Sequence, residues 1–320
     1  MSDNDLKRAF TFPGQGSQAA GMGKELAEWH AEARAVFEQV DEALCEPLSR
    51  LMFEGPEDEL VLTRNAQPAL MAVSLAVIKV VEAEVGKPLS ELAQFVAGHS
   101  LGEYSALAAA GALDLADTAR LLRLRGESMQ NAVPVGEGAM AALLGIDLDV
   151  AQEVAAEASA HGVCDLANDN APGQVVVSGA KLAVEKAIEI ATGKGARRGV
   201  LLPVSAPFHC AMMAPAADVM AEALAAVDLR DPSVPVVANV LATPIAAAAE
   251  IRARLVEQVT AMVRWRESVV WMAGAGVGEL VEAGSGKVLT GLAKRIDRSV
   301  AGRAVGTPDE IRELVASLSG

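Results

Sequence analysis

Two periods alternate along the 320-residue chain. Short apolar runs of strand length end in glycine or proline, and longer stretches repeat their apolar residues every three or four positions. The first run, Ala9 to Phe12, enters a glycine-rich turn, Pro13-Gly14-Gln15-Gly16-Ser17-Gln18, followed by helical segments to about residue 52. A helix is expected over Pro68 to Glu84, with the proline tolerated in its first turn. A second run, Phe95-Val96-Ala97, leads through Gly98-His99-Ser100-Leu101-Gly102 into the helix-forming stretch Glu103 to Ala108. After Gly111, a helix that Asp114 caps runs to about Met129.

From Pro134 the elements shorten and follow the order strand (139–144), helix (149–160), strand (163–167), strand (175–178), helix (181–192), strand (199–204). This βαββαβ order is the ferredoxin-like arrangement, and the stretches Pro134-Val135-Gly136 and Pro203 to Pro207 are natural hinges around it. Beyond it come a helix near 214–227, a strand at 236–240, helices through 254–272, a strand at 279–282 and, after Gly284-Ser285-Gly286, a helix at 287–296. Strands alternating with helices imply a mostly parallel sheet whose ligands collect at the strand carboxyl ends. The expected fold class is therefore α/β. An α/β-hydrolase-like parallel-sheet core spans 1–133 and 205–320, and a small ferredoxin-like subdomain, 134–204, is inserted in it.

Composition narrows the function. An apolar content of 52% supports a large buried core, and a formal charge of −15 disfavours nucleic acid, whose phosphates need a concentrated basic face. Local basic groups do occur at Lys194, Arg197 and Arg198, and at Lys287, Lys294, Arg295 and Arg298; their plain reading is solvated surface. Cys45, Cys164 and Cys210 are odd in number and far apart, which fits a reducing compartment and argues against a zinc site. The polar, acidic start Met1 to Asp5 is unlike a signal peptide, and Ser74 and Lys79 interrupt the apolar stretch 69–81. A cytoplasmic protein without membrane association is expected.

The G-x-S-x-G spacing around Ser100, set between a strand and a helix, is the pattern of a nucleophile elbow: small flanking residues permit the sharp turn that exposes the hydroxyl. The alternative is a tight turn in which Ser100 is a cap. A serine hydroxyl needs an imidazole base. Of the four histidines, His209 in Ser205-Ala206-Pro207-Phe208-His209 is the best candidate. His99 is expected to point away from Ser100, while His30 and His161 fall at the ends of surface helices. The neighbouring Cys210 reads as a buried cysteine.

Taken in order, Phe12 to Gln18, Gly98 to Glu103, Arg125-Gly126, Asn168 to Gly179, Pro207-Phe208-His209 and Gly284 to Leu289 resemble the malonyl-CoA:acyl carrier protein transacylases, over residues 9 to about 296. The resemblance implies a ping-pong route. Ser100 attacks the malonyl thioester of malonyl-CoA, CoA leaves, and the phosphopantetheine thiol of acyl carrier protein collects the malonyl group. It implies His209 as base and then acid, oriented by the backbone carbonyl of Gln258, and an oxyanion hole made by the backbone N–H groups of Gln15 and Leu101. It also places Asn168 among the substrate-binding residues. No bound cofactor or metal is implied: CoA arrives as the substrate thioester and phosphopantetheine on the partner. A monomer is expected.

Arg125 is the discriminating residue under this resemblance. It shares an apolar helical stripe with Leu121 and Leu122, so its inward charge needs a partner, which the malonyl carboxylate supplies through two charged hydrogen bonds. At roughly 1.5–3 kcal/mol each, such bonds favour malonyl over acetyl by about tenfold or more. Arg120 and Arg123 read as surface charges. The bulk of Phe208 before His209 resembles the malonyl-selective pattern of related polyketide acyltransferases.

Three other readings compete. Gly14-Gln15-Gly16-Ser17-Gln18-Ala19 fits a dinucleotide fingerprint, but a helix follows where a second strand is needed. A serine esterase or thioesterase shares the elbow and offers Asp165 or Asp169 as the acid, yet has no use for Arg125. An idle carrier-binding module would not need Ser100, His209 and Arg125 together. A polyketide-pathway acyltransferase also remains, although a chain without a fused ketosynthase favours fatty acid synthesis. An acidic carrier would dock near Lys194, Arg197 and Arg198 or near Lys287 and Lys294.

Overall fold

Apolar runs with no polar alternation belong to strands covered on both faces, and the chain uses two such runs as the centre of its larger sheet. In the computed structural model, which describes residues 6–319, the strands are β1 (Arg8–Phe12), β2 (Phe95–Gly98), β3 (Gly138–Leu144), β4 (Cys164–Ala171), β5 (Gln174–Ala180), β6 (Arg198–Leu201), β7 (Val236–Val237), β8 (Pro244–Ile245), β9 (Glu279–Ala283) and β10 (Ala301–Val305). The larger sheet has the order β10-β9-β1-β2-β7-β8. It is parallel from β10 to β7, with β8 antiparallel at the edge. Every residue of β1 and β9 is buried.

The second sheet has the antiparallel order β4-β5-β3-β6, which is the strand order of a ferredoxin-like βαββαβ unit. Its helices, Leu148–Ala158 and Lys181–Gly193, pack Val154, Ala158, Val184 and Ala187 against Ala141, Leu143, Val175 and Val177, giving this sheet its own apolar cluster. The α/β fold expected from the sequence is thus present. Met1 to Asp5, read above as unlike a signal peptide, lie outside the described residues. No helix among the described residues is long and apolar enough to cross a membrane.

Several expectations need correction. The helix expected from Pro68 starts at Thr63 and runs to Val85, so Pro68 lies inside it and not in its first turn. The extra turn carries the polar residues Thr63, Asn65 and Gln67, all buried, and thus broke the apolar pattern that marked the rest. The strand expected at 236–240 pairs only through Val237, and of the helices expected through 254–272, which are Ala248–Gln258 and Trp265–Gly274, the first starts earlier, at Ala248. Arg123 is not a surface charge: its guanidinium reaches Asn65 Oδ1 at 2.5 Å and Glu46 at 2.8 Å. Beyond Ile296, where the last expected element ends, β10 adds a parallel edge strand and the helix Pro308–Ser319 buries Ile311 and Leu314.

Candidate active site

The strand-to-helix turn after β2 depends on two glycines. A Cβ on Gly98 would lie 1.9 Å from the Gly102 carbonyl, and one on Gly102 would lie 2.2 Å from the Phe12 carbonyl oxygen. That close approach lets the chain reverse with Ser100 in the left-handed region at φ 53°, and the helix Gly102–Ala109 follows at once. Gly98→Ala is expected to destabilise the fold by about 3 kcal/mol or more, because backbone and not a movable side chain blocks the methyl. Urea unfolding at the wild-type midpoint would contradict this reading of the elbow.

Ser100 opens into a cavity of about 530 Å3 lined also by Gln15, Leu101, Arg125, Asn168, Phe208 and His209, with Met140, Leu202 and Val204 beside them. Ser100 Oγ lies 2.7 Å from His209 Nε2, and His209 Nδ1 lies 2.8 Å from the Gln258 carbonyl oxygen. A carbonyl only accepts, so Nδ1 carries the proton and Nε2 presents its lone pair to the serine. His209 is itself left-handed at φ 59° and buried. Gln258 sits behind the cavity, with its carbonyl oxygen facing His209 Nδ1.

Arg125 is 1% exposed in the helix Leu115–Asn131, whose start Asp114 caps by accepting from Ala116 N. Its Nη1 donates to Gln67 Oε1 at 2.8 Å, while Nη2 donates to Gln258 Oε1 at 2.9 Å and to Ser100 Oγ at 3.2 Å. The guanidinium carbon also stands 5.7 Å from the Tyr104 ring centroid. The inward charge therefore already has neutral partners, and one of its N–H groups points at the nucleophile.

Burial, reinforced by the Arg125 charge, presses the His209 imidazole down to about 3. It is a neutral base throughout the physiological range. In an NMR titration His209 is expected to stay neutral from about pH 8 to about pH 5, whereas an inflection near 6.5 would contradict the burial argument. Between 6.5 and about 3 the unfolded chain binds a proton that the folded site refuses, so this group lowers stability as pH falls. Glu103 works in the other direction. Burial raises its carboxyl from 4.5 to about 7, so across that window the folded state holds a proton the unfolded chain has lost, and stability falls as pH rises.

The backbone N–H groups of Gln15 and Leu101 donate to no backbone carbonyl among the described residues. The glycine turn reaches the elbow closely, since a Cβ on Gly14 would sit 2.8 Å from the His99 carbonyl oxygen. Although expected to point away from Ser100, His99 is among the residues lining the same cavity; its Nε2 lies 2.8 Å from Asn170 Oδ1 and its ring lies beside Trp265. Cys210 is buried, its Sγ donates to the Pro207 carbonyl, and burial raises its thiol pKa. The acids a hydrolase would need are engaged elsewhere: Asp169 with Arg266, and Asp165 with the Ala211 N–H.

Three site residues escaped the sequence reading: Gln67, Glu103 and Asn239. Asn239 Oδ1 accepts from Ser100 N at 2.8 Å and its Nδ2 donates to the Gly98 carbonyl at 2.6 Å, tying down both sides of the elbow. For Asn239 the available signal is a lone polar residue inside the apolar run Val236 to Leu241.

A parallel-sheet fold with a serine at a sharp strand-to-helix turn, paired to a neutral imidazole, is an architecture for acyl transfer through a serine ester, shared by acyl transferases and serine hydrolases. Residues 9–283 match the acyl transferase domain family. The chain is 47% identical over 313 residues to the malonyl CoA-acyl carrier protein transacylase of Bacillus subtilis (strain 168), covering 98% of this chain and 97% of that one. An acyl-carrier-protein-S-malonyltransferase structure from Bartonella henselae superposes with a TM-score of 0.96 at 55% identity, over 98% of this chain and 100% of that one. A structure described as a type II PKS acyl-carrier protein in complex with its malonyl-transacylase matches with a TM-score of 0.93 at 41% identity, over 97% and 99% of the two chains. The chain belongs to the malonyl CoA-acyl carrier protein transacylase family.

Proposed function

We propose that the chain transfers malonyl from malonyl-CoA to the phosphopantetheine thiol of acyl carrier protein through a malonyl ester on Ser100, supplying fatty acid synthesis. The observation that carries this reading is Arg125 Nη2 at 3.2 Å from Ser100 Oγ, a carboxylate-binding group beside the nucleophile. In malonyl a single carbon separates the carboxylate from the thioester carbonyl, so one small diacid spans both groups.

His209 Nε2 takes the Ser100 proton as Oγ attacks the thioester carbonyl, the backbone N–H groups of Gln15 and Leu101 receive the oxyanion, and the proton passes to the departing CoA sulfur. The carrier thiol then gives its proton to Nε2, its sulfur attacks the ester, and Ser100 regains the proton. Arg125 binds the malonyl carboxylate, and Asn168 and Phe208 line the pocket around it. The route uses no metal, and no cofactor beyond the two thiols.

The reading includes a cytoplasmic monomer with a small subdomain at 134–204 beside a large one; the separate antiparallel sheet and its own apolar cluster support that division. Lys194 is held by Glu153 and Glu157, which leaves Arg197 and Arg198 as the exposed charges of that cluster. The acidic carrier docks there or near Lys287 and Lys294. The test is to supply malonyl-CoA with and without the holo carrier: malonyl on the carrier thiol is expected, and release of free malonate at the same rate in both would favour a thioesterase.

A further inference from the structure

We propose that Glu103 is the positioning residue that sets the polarity of Gln258 and, through it, aims Arg125 at the malonyl carboxylate. This rests on Arg125 recognising that carboxylate. Glu103 lies three residues after the nucleophile, in the first turn of the helix Gly102–Ala109, and is 1% exposed. It does not itself line the cavity, and it makes no hydrogen bond to His209.

Its Oε2 accepts two hydrogen bonds, from Gln258 Nε2 at 2.8 Å and from the Asn239 backbone N–H at 3.1 Å. The Asn239 backbone N–H can only donate, so Oε2 is an acceptor whether or not the carboxyl carries a proton, and the Gln258 amide turns its NH2 toward it. The same NH2 also donates to the Ser100 carbonyl at 3.0 Å. The amide oxygen is thereby left facing Arg125 Nη2 at 2.9 Å. Turned the other way, Gln258 would present NH2 to a guanidinium that only donates, and Arg125 would lose one of the two amide oxygens that flank it.

The second of those oxygens is fixed by the same logic. Gln67 Nε2 donates to Thr63 Oγ1 at 3.0 Å, which leaves Gln67 Oε1 for Arg125 Nη1. Thr63 Oγ1 in turn donates to Gln15 Oε1 at 2.8 Å. Arg125 is thus held between two amides of set polarity, and the one beside Ser100 takes its direction from Glu103 together with the Ser100 carbonyl. The Asn239 arm of Glu103 supports the elbow, so losing Glu103 also lowers labelling by every acyl donor. What distinguishes the Gln258 arm is the ratio between donors that carry a carboxylate and donors that do not.

The test compares the rates at which malonyl-CoA and acetyl-CoA label Ser100, followed by intact mass. Glu103→Met removes the acceptor at similar length and is expected to lower the malonyl-to-acetyl ratio by about tenfold or more. Glu103→Gln keeps an acceptor oxygen and is expected to hold the ratio within about fivefold of wild type. In an Arg125→Ala background, Glu103→Met is expected to leave the ratio unchanged, since the two residues act in series. If Glu103→Met does not fold, Gln258→Leu, which removes the intervening amide, must show the same selective loss.

An unchanged ratio in Glu103→Met or Gln258→Leu would overturn the proposal, as would a further drop in the Arg125→Ala background. A Glu103→Gln protein as unselective as Glu103→Met would also overturn it, because charge and not acceptor geometry would then be the cause. Failure of the underlying reading looks different: Arg125→Ala alone would keep the wild-type malonyl preference.

Discussion

With alanine at position 100, malonyl transfer to the carrier falls by about 10,000-fold or more and no acyl-enzyme forms. Removing Oγ leaves the elbow backbone, His209 and Arg125 in place, so malonyl-CoA still binds while the covalent step disappears. Cys210 cannot substitute, since its thiol is buried, bonded to the Pro207 carbonyl and shifted upward. Water could be activated by His209 in the vacated space, but it would release malonate and leave the carrier unloaded. Single-turnover transfer to the holo carrier checks this, and residual transfer at a tenth of the wild-type rate would remove Ser100 from the mechanism.

Arg125→Ala is the second large effect. Two charged hydrogen bonds at roughly 1.5–3 kcal/mol each are lost, so kcat/KM for malonyl-CoA is expected to drop by about 100-fold or more. The substitution also strips the donors from Gln67 Oε1 and Gln258 Oε1, leaving acceptors that repel a carboxylate. Uncharged acyl groups make no such contact, so acetyl-CoA loses far less and the preference inverts. Arg125→Lys does not restore malonyl transfer, because a single ammonium cannot reproduce the planar fork between two amides. Steady-state kinetics with both donors decide it, and malonyl kinetics untouched by Arg125→Ala would refute the carboxylate assignment.

The parts legible in the sequence were those that local geometry dictates. Gly98 and Gly102 are needed because backbone crosses backbone there, and that need shows directly as G-x-S-x-G. The second sheet was readable because its elements are short, separated by turns and built on β-branched runs such as Val175-Val176-Val177. The supporting network was not readable, because its partners are far apart in the chain. Ser100 N meets Asn239 across 139 positions, and Arg125 meets Gln258 across 133. Thr63 and Gln67 masked a helical turn by placing polar groups on a face that points into the site. At the carboxyl end, β10 begins with exposed Ala301 and Gly302 and so lacks the apolar signature of the central strands. His209 is legible because the chain has only four histidines, while its orienting carbonyl at Gln258 is not, since a backbone oxygen leaves no mark in the residue type.

The account stands on a malonyl ester at one hydroxyl. The most direct measurement is to incubate the protein with malonyl-CoA alone, digest it, and locate the added malonyl group by peptide mass. One malonyl per chain on the peptide holding Ser100 is the predicted result. An adduct on Cys210, or an unmodified protein that nevertheless loads the carrier, would contradict it.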